Sequence, residues 1–102
     1  MAKVHPSSVI GDRVQLPDDA EIGPFCVIQG DVSIGPGTRL LSNVTIEGPT
    51  TIGQDNTIYP GAAIGFAPQD LKFDPGTPGP GLVIGDRNVI REGVTIHRAS
   101  QN

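Results

Sequence analysis

Residues 22–40 read Ile22-Gly23-Pro24-Phe25-Cys26-Val27-Ile28-Gln29-Gly30-Asp31-Val32-Ser33-Ile34-Gly35-Pro36-Gly37-Thr38-Arg39-Leu40, with an aliphatic side chain at every sixth position. Extended both ways, the same step lands on Val4, Ile10, Leu16, Ile46, Ile52, Ile58 and Ile64, and after an interruption on Ile84, Ile90 and Ile96. Every isoleucine lies on this register, although Val, Ile and Leu make up only about a quarter of the chain. A fixed short period marks a stacked repeat, and a period of six marks a parallel β-helix.

With the aliphatic residue written first, position two is often glycine (Gly11, Gly23, Gly35, Gly53, Gly65, Gly85) and position five is small or β-branched, as at Ser8, Ala20, Cys26, Val44 and Ala62. Short strands alternate inward and outward residues, and each tight turn needs a residue free to take φ > 0, hence Gly, Asn or Asp. The aliphatic residue points into a narrow prism and the small one fits near a corner. Three hexads make one triangular coil, so Ile10, Ile28, Ile46 and Ile64 stack in one column and Ile22, Leu40 and Ile58 in another. Backbone hydrogen bonds then run from coil to coil.

The beat breaks between Ile64 and Ile84, where 14 residues more than one hexad are inserted. The segment, roughly 66–81, holds Pro68, Pro75, Pro78 and Pro80 with Gly76, Gly79 and Gly81. Proline is excluded from sheet interiors, so it reads as a loop thrown out of the prism. Long loops on rigid scaffolds often carry binding. Gln69-Asp70-Leu71-Lys72-Phe73 is too specific for filler, whereas Asp74 to Gly81 reads as an extended tether. The expected organisation is one all-β domain over residues 1–102, incomplete because it stops in mid-coil without a cap.

The 102 residues carry a net charge of −4, with seven acidic and three basic residues before Gly65. That acidic body argues against nucleic-acid binding. No apolar run is long enough to span a membrane, and the first residues lack the apolar segment of a secretory signal. One cysteine, Cys26, fits a reducing compartment, so the expected location is the cytoplasm. Cys26 occupies the small-residue position and reads as packing, with no base evident beside it. Two histidines, His5 and His97, cannot supply a three-histidine zinc site, so neither metal nor cofactor is expected. His5, in Val4-His5-Pro6, is expected to have no chemical role.

Two strings point to an activity: Ile64-Gly65-Phe66-Ala67-Pro68-Gln69-Asp70-Leu71-Lys72-Phe73 and Ile84-Gly85-Asp86-Arg87-Asn88-Val89-Ile90-Arg91-Glu92-Gly93-Val94-Thr95-Ile96-His97-Arg98. In this order they resemble the acyl-carrier-protein-dependent UDP-N-acetylglucosamine O-acyltransferases of lipid A synthesis, a hexapeptide-repeat family. A close relative that N-acylates the next glucosamine intermediate has Asp where this chain has His97. The resemblance covers the whole chain but only about two-fifths of such an enzyme.

The resemblance implies a left-handed parallel β-helix with one protruding loop, and a homotrimer with sites between subunits. It implies transfer of a 3-hydroxyacyl chain from acyl carrier protein to the sugar 3-hydroxyl, with a histidine as general base and a backbone N–H on the oxyanion. That base is expected beyond Asn102, so no catalytic residue is assigned here and the chain alone is expected to be inactive. Gln69, Asp70, Lys72 and His97 are the expected sugar-nucleotide contacts, and Arg91 and Arg98 the expected carrier contacts. From the residues alone, Asp70 can instead close an Asx-turn, Lys72 can be solvated, and Arg91 can pair with Glu92 or Asp86. Two alternatives are a non-catalytic scaffold and a hexapeptide acyltransferase with another acceptor.

Overall fold

The computed structural model describes residues 2–66 and 81–97. Its strands are short and follow the six-residue beat: β1 (Lys3–Val4), β2 (Val9–Ile10), β3 (Val14–Gln15), β4 (Glu21–Ile22), β5 (Val27–Gln29), β6 (Val32–Ile34), β7 (Arg39–Leu40), β8 (Thr45–Glu47), β9 (Thr50–Ile52), β10 (Thr57–Ile58), β11 (Ala63–Phe66), β12 (Leu82–Ile84), β13 (Val89–Ile90) and β14 (Thr95–His97). Every third strand joins the same sheet. The first face is β1-β4-β7-β10-β13, the second β2-β5-β8-β11-β14 and the third β3-β6-β9-β12. All described pairings are parallel. The result is a left-handed parallel β-helix, a column 39 × 26 × 25 Å.

Register follows the sequence period. Val9 pairs with Val27, and Val27 with Thr45, each partner lying three hexads further on. Beyond the insertion, Thr50 pairs with Leu82, Thr57 with Val89 and Ala63 with Thr95, so the same columns resume once the inserted segment is passed. The core is the stack of beat residues. Ile22, Ile28, Ile34, Leu40, Ile46, Ile52, Ile58, Ile64, Ile84 and Ile90 are buried, while Ile10, Leu16 and Ile96 near the ends are half-buried. Side chains that fill a prism only one residue deep have no alternative partner, which is why the period alone specifies the fold.

The corners carry a polar ladder as well as small residues. Thr38 and Asn56, both fully buried, lie one coil apart on the corner between the third and first faces. Thr38 Oγ1 donates to the Gly53 carbonyl at 2.9 Å and accepts the Asn56 N–H at 3.3 Å. Asn56 Nδ2 donates to the Gly85 carbonyl and its Oδ1 accepts the Asn88 N–H, both at 2.8 Å. Corner carbonyls and amides that the sheets cannot pair are satisfied in this way.

The expected turn chemistry needs one correction. The glycines directly after the beat residue do not, with one exception, take φ > 0. Left-handed backbone falls at position four of the hexad instead: Phe25, Gly37, Asn43, Asp55, Gly61, Arg87 and Gly93. This site accepts Phe and Arg, so its residue type does not mark it in the sequence. The corner between the second and third faces departs from that rule, with Gly30 left-handed in one coil and a cis Gly48–Pro49 bond in the next. The insertion leaves from this same corner. The insertion was expected to begin at Phe66, yet Phe66 is still in β11.

Candidate functional site

The site of interest is the upper rim of the corner from which the insertion departs. Ile64 pairs with Ile96 in the usual register, but Phe66 pairs with His97, one residue short of regular spacing. The extra residue is Gly65, left-handed at φ 84°. This bulge sets the last residue of the strand entering the insertion directly beside His97. Bulges commonly re-aim a strand where pairing ends. On the return, the Leu82 N–H donates to the Pro49 carbonyl at 3.0 Å.

Of the expected site residues, the fold therefore brings His97 next to the stem of the segment that carries Gln69, Asp70 and Lys72. Those three residues, and Arg98, lie outside the described residues. Arg91 is described and stands elsewhere, at the opposite edge of the second face, where β13 turns towards β14. Its guanidinium lies over the Tyr59 ring, 4.4 Å from the centroid, and its Nε donates to Glu92 Oε1 at 2.9 Å. The pairing is with Glu92; Asp86 instead accepts the Gln54 N–H at 2.9 Å. The hydrogen bond and charge of Glu92 hold the Arg91 pKa above its ordinary value, and Arg91 holds the Glu92 carboxyl below the usual carboxylate range. Both side chains are well exposed, so the pair keeps a cation at the surface and adds little stability. Tyr59, one coil below Arg91 in the same outward column, is the partner that sequence reasoning missed. The available signal was the resumption of the beat after the insertion, which sets β13 over β10.

Cys26 is fully buried. Burial pushes its thiol pKa up, outweighing hydrogen bonds from Val44 and Ser8, which is the opposite of an activated nucleophile. His5 Nδ1 accepts the Ser7 N–H at 3.1 Å and lies 2.8 Å from Ser7 Oγ. These bonds brace the first corner, because Ser7 Oγ also accepts the Phe25 N–H at 3.0 Å. Among the described residues, no group of three His, Cys, Asp or Glu side chains could hold a metal ion, and no helix is long and apolar enough to cross a membrane.

Comparison with known proteins fits this geometry. The bacterial transferase hexapeptide (six repeats) family matches residues 13–48 and 31–65, together just over half of the chain. The acyl-[acyl-carrier-protein]–UDP-N-acetylglucosamine O-acyltransferase of Thermodesulfovibrio yellowstonii is 49% identical over 100 residues, which are 98% of this chain and 38% of that enzyme. The UDP-N-acetylglucosamine acyltransferase of Francisella novicida superposes with a TM-score of 0.91 at 42% identity, over 95% of this chain and 35% of its own. The corresponding O-acyltransferase of Moraxella catarrhalis gives 0.90 at 44% identity, over 95% and 37%. The chain thus spans under two-fifths of the length of these relatives. In its repeats, its coil geometry and its matched residues, it belongs to the bacterial transferase hexapeptide family.

Proposed function

We propose that this chain forms part of the sugar-nucleotide site of an O-acyltransferase that moves a 3-hydroxyacyl chain from acyl carrier protein to the 3-hydroxyl of UDP-N-acetylglucosamine, the first step of lipid A synthesis. The observation that carries the reading is the pairing of Phe66 with His97. It sets Phe66, the end of the strand that leads to Gln69-Asp70-Leu71-Lys72 in sequence, beside His97 of Thr95-Ile96-His97-Arg98, and these are the two strings that resemble the enzymes of this reaction. Similarity to the Thermodesulfovibrio enzyme over nearly the whole chain supports the same reading.

In this mechanism a histidine base takes the proton of the sugar 3-hydroxyl. The oxygen attacks the thioester carbonyl of the carrier, a backbone N–H holds the oxyanion, and the carrier thiol leaves with the proton. The base belongs to a coil beyond Asn102. Asp70 accepts hydrogen bonds from sugar hydroxyls and Gln69 supports it. Lys72 meets the phosphates, and His97 forms the wall of the site. Arg91, with its guanidinium exposed over Tyr59, and Arg98 offer cations to the acidic carrier, whose encounter such charges steer. Residues 1–102 act as one β-helical unit whose insertion serves a site between subunits of a cytoplasmic homotrimer.

Calorimetric titration of UDP-N-acetylglucosamine into the chain tests the site. Wild type is expected to bind, and Asp70→Ala to bind at least about tenfold more weakly, the usual scale for a lost charged hydrogen bond. Equal binding by both, or none by wild type, contradicts the assignment.

A further inference from the structure

The insertion leaves and rejoins the prism over one corner of the coil beneath, residues 47–50. At the exit, a Cβ on Gly65 would overlap the Glu47 carbonyl oxygen and Thr50 Oγ1. Thr50 is buried, and its Oγ1 donates to that same Glu47 carbonyl at 2.7 Å. At the return, a Cβ on Gly81 would come within 2.9 Å of the Pro49 carbonyl oxygen, which accepts the Leu82 N–H. Both stems therefore stand on neighbouring carbonyls of a single corner, and the exit stem can do so only as glycine.

Gly65 is also the extra residue of the bulge. Among the described strand pairs, that between β11 and β14 is the one with a register shift. Without the bulge, Gly65 would face His97 and Phe66 would lie one step past it. A left-handed glycine directly after the beat residue is not needed to close this corner, because Gly11 follows Ile10 at the same corner without it, and Gly30, which is left-handed there, stands one place later. What distinguishes Gly65 is the segment that follows.

We infer that Gly65 is a positioning residue: its bulge, seated on the Thr50–Glu47 corner, fixes the register between the stem of the insertion and His97, and through it the affinity of the site for a sugar nucleotide. The inference rests on the proposed site. Gly65 does not touch the substrate. Its contribution is to set Phe66 beside His97, in a site where displacements on the scale of an ångström matter.

The test titrates UDP-N-acetylglucosamine into the full 102-residue chain and follows both heat and amide resonances. Gly65→Ala is expected to lose the cross-strand Overhauser contact between Phe66 and His97 and to bind about tenfold or more weakly, while the signals of residues 21–46 keep their positions. Gly93→Ala is the control for left-handed strain. Gly93 is also left-handed, at φ 71°, but a Cβ there meets nothing within 4 Å, so that variant is expected to lose stability and keep its affinity. Should Gly65→Ala fail to fold, Thr50→Val removes the hydroxyl that braces the Glu47 carbonyl without adding bulk and is expected to weaken binding, whereas Thr50→Ser is expected to restore it. Wild-type affinity in folded Gly65→Ala, or in Thr50→Val, overturns the inference and leaves the site standing. Absence of binding by wild type overturns both.

Discussion

The coils before the insertion and the coil that contains it are built from the same hexad but close in different ways. In residues 21–52 each corner is short, every pairing joins positions three hexads apart, and the beat residues are almost completely buried. In residues 57–84 the corner between the second and third faces is opened by the insertion, yet β12 and β13 take up the register of β9 and β10 without error. A coil is thus specified by the edge beneath it more than by its own continuity. Ile84 finds the column above Ile52, and Ile90 the column above Ile58. Loop closure grows only logarithmically costly with length, so a corner can be lengthened to make a site while the prism is left intact.

The largest expected effect lies in the regular region. Ile46→Ala removes a side chain packed between coils above and below, and should cost about 2–5 kcal/mol in urea unfolding. Ile96→Ala, half-buried in the last described strand, should cost about 1 kcal/mol. Equal losses would contradict a stack in which each coil contacts only its neighbours.

Asn56→Leu probes the bond that carries register across the insertion. It leaves the Gly85 carbonyl and the Asn88 N–H without their partner, at about 1–3 kcal/mol. Hydrogen exchange should quicken over residues 82–90 and stay unchanged over 21–46. Uniform acceleration would mean that the two regions are one cooperative unit.

The smallest effect is electrostatic. Arg91 lowers the Glu92 pKa, so whatever the pair contributes is present above the usual carboxylate range and fades as pH falls through the lowered value. In Arg91→Ala the Glu92 carboxyl should titrate at higher pH by NMR, with no measurable change in unfolding midpoint, because both side chains are exposed. An unchanged Glu92 titration would show that the pair does not persist in solution.

Much of this comparison is written in the sequence. The six-residue step places Ile28 over Ile10 and Ile46 over Ile28, and its failure after Ile64 marks the insertion. What the sequence does not show is how the insertion is aimed. Ile64-Gly65 is spelled like Ile22-Gly23, Ile34-Gly35, Ile52-Gly53 and Ile84-Gly85, yet of these glycines only Gly65 is left-handed. Lack of room for a Cβ does not mark it, since a Cβ at Gly23, Gly35 or Gly53 would also collide with a neighbouring coil; Gly65 differs in being the extra residue of the bulge that sets Phe66 beside His97. The Arg91–Tyr59 contact was hidden for a related reason: its partners fall on the three-hexad spacing only once the insertion is subtracted. The polar corner ladder was equally silent, since Thr38 and Asn56 sit where the repeat also accepts Ala20.

The central claim is that the interrupted corner, and not the regular coils, forms the sugar-nucleotide site. The most direct test is amide chemical-shift mapping of the chain during titration with UDP-N-acetylglucosamine. The account predicts shifts concentrated at Phe66, Gly81, Leu82 and His97 with residues 9–46 unmoved. Shifts centred on the first three coils, or none at saturating ligand, would contradict it.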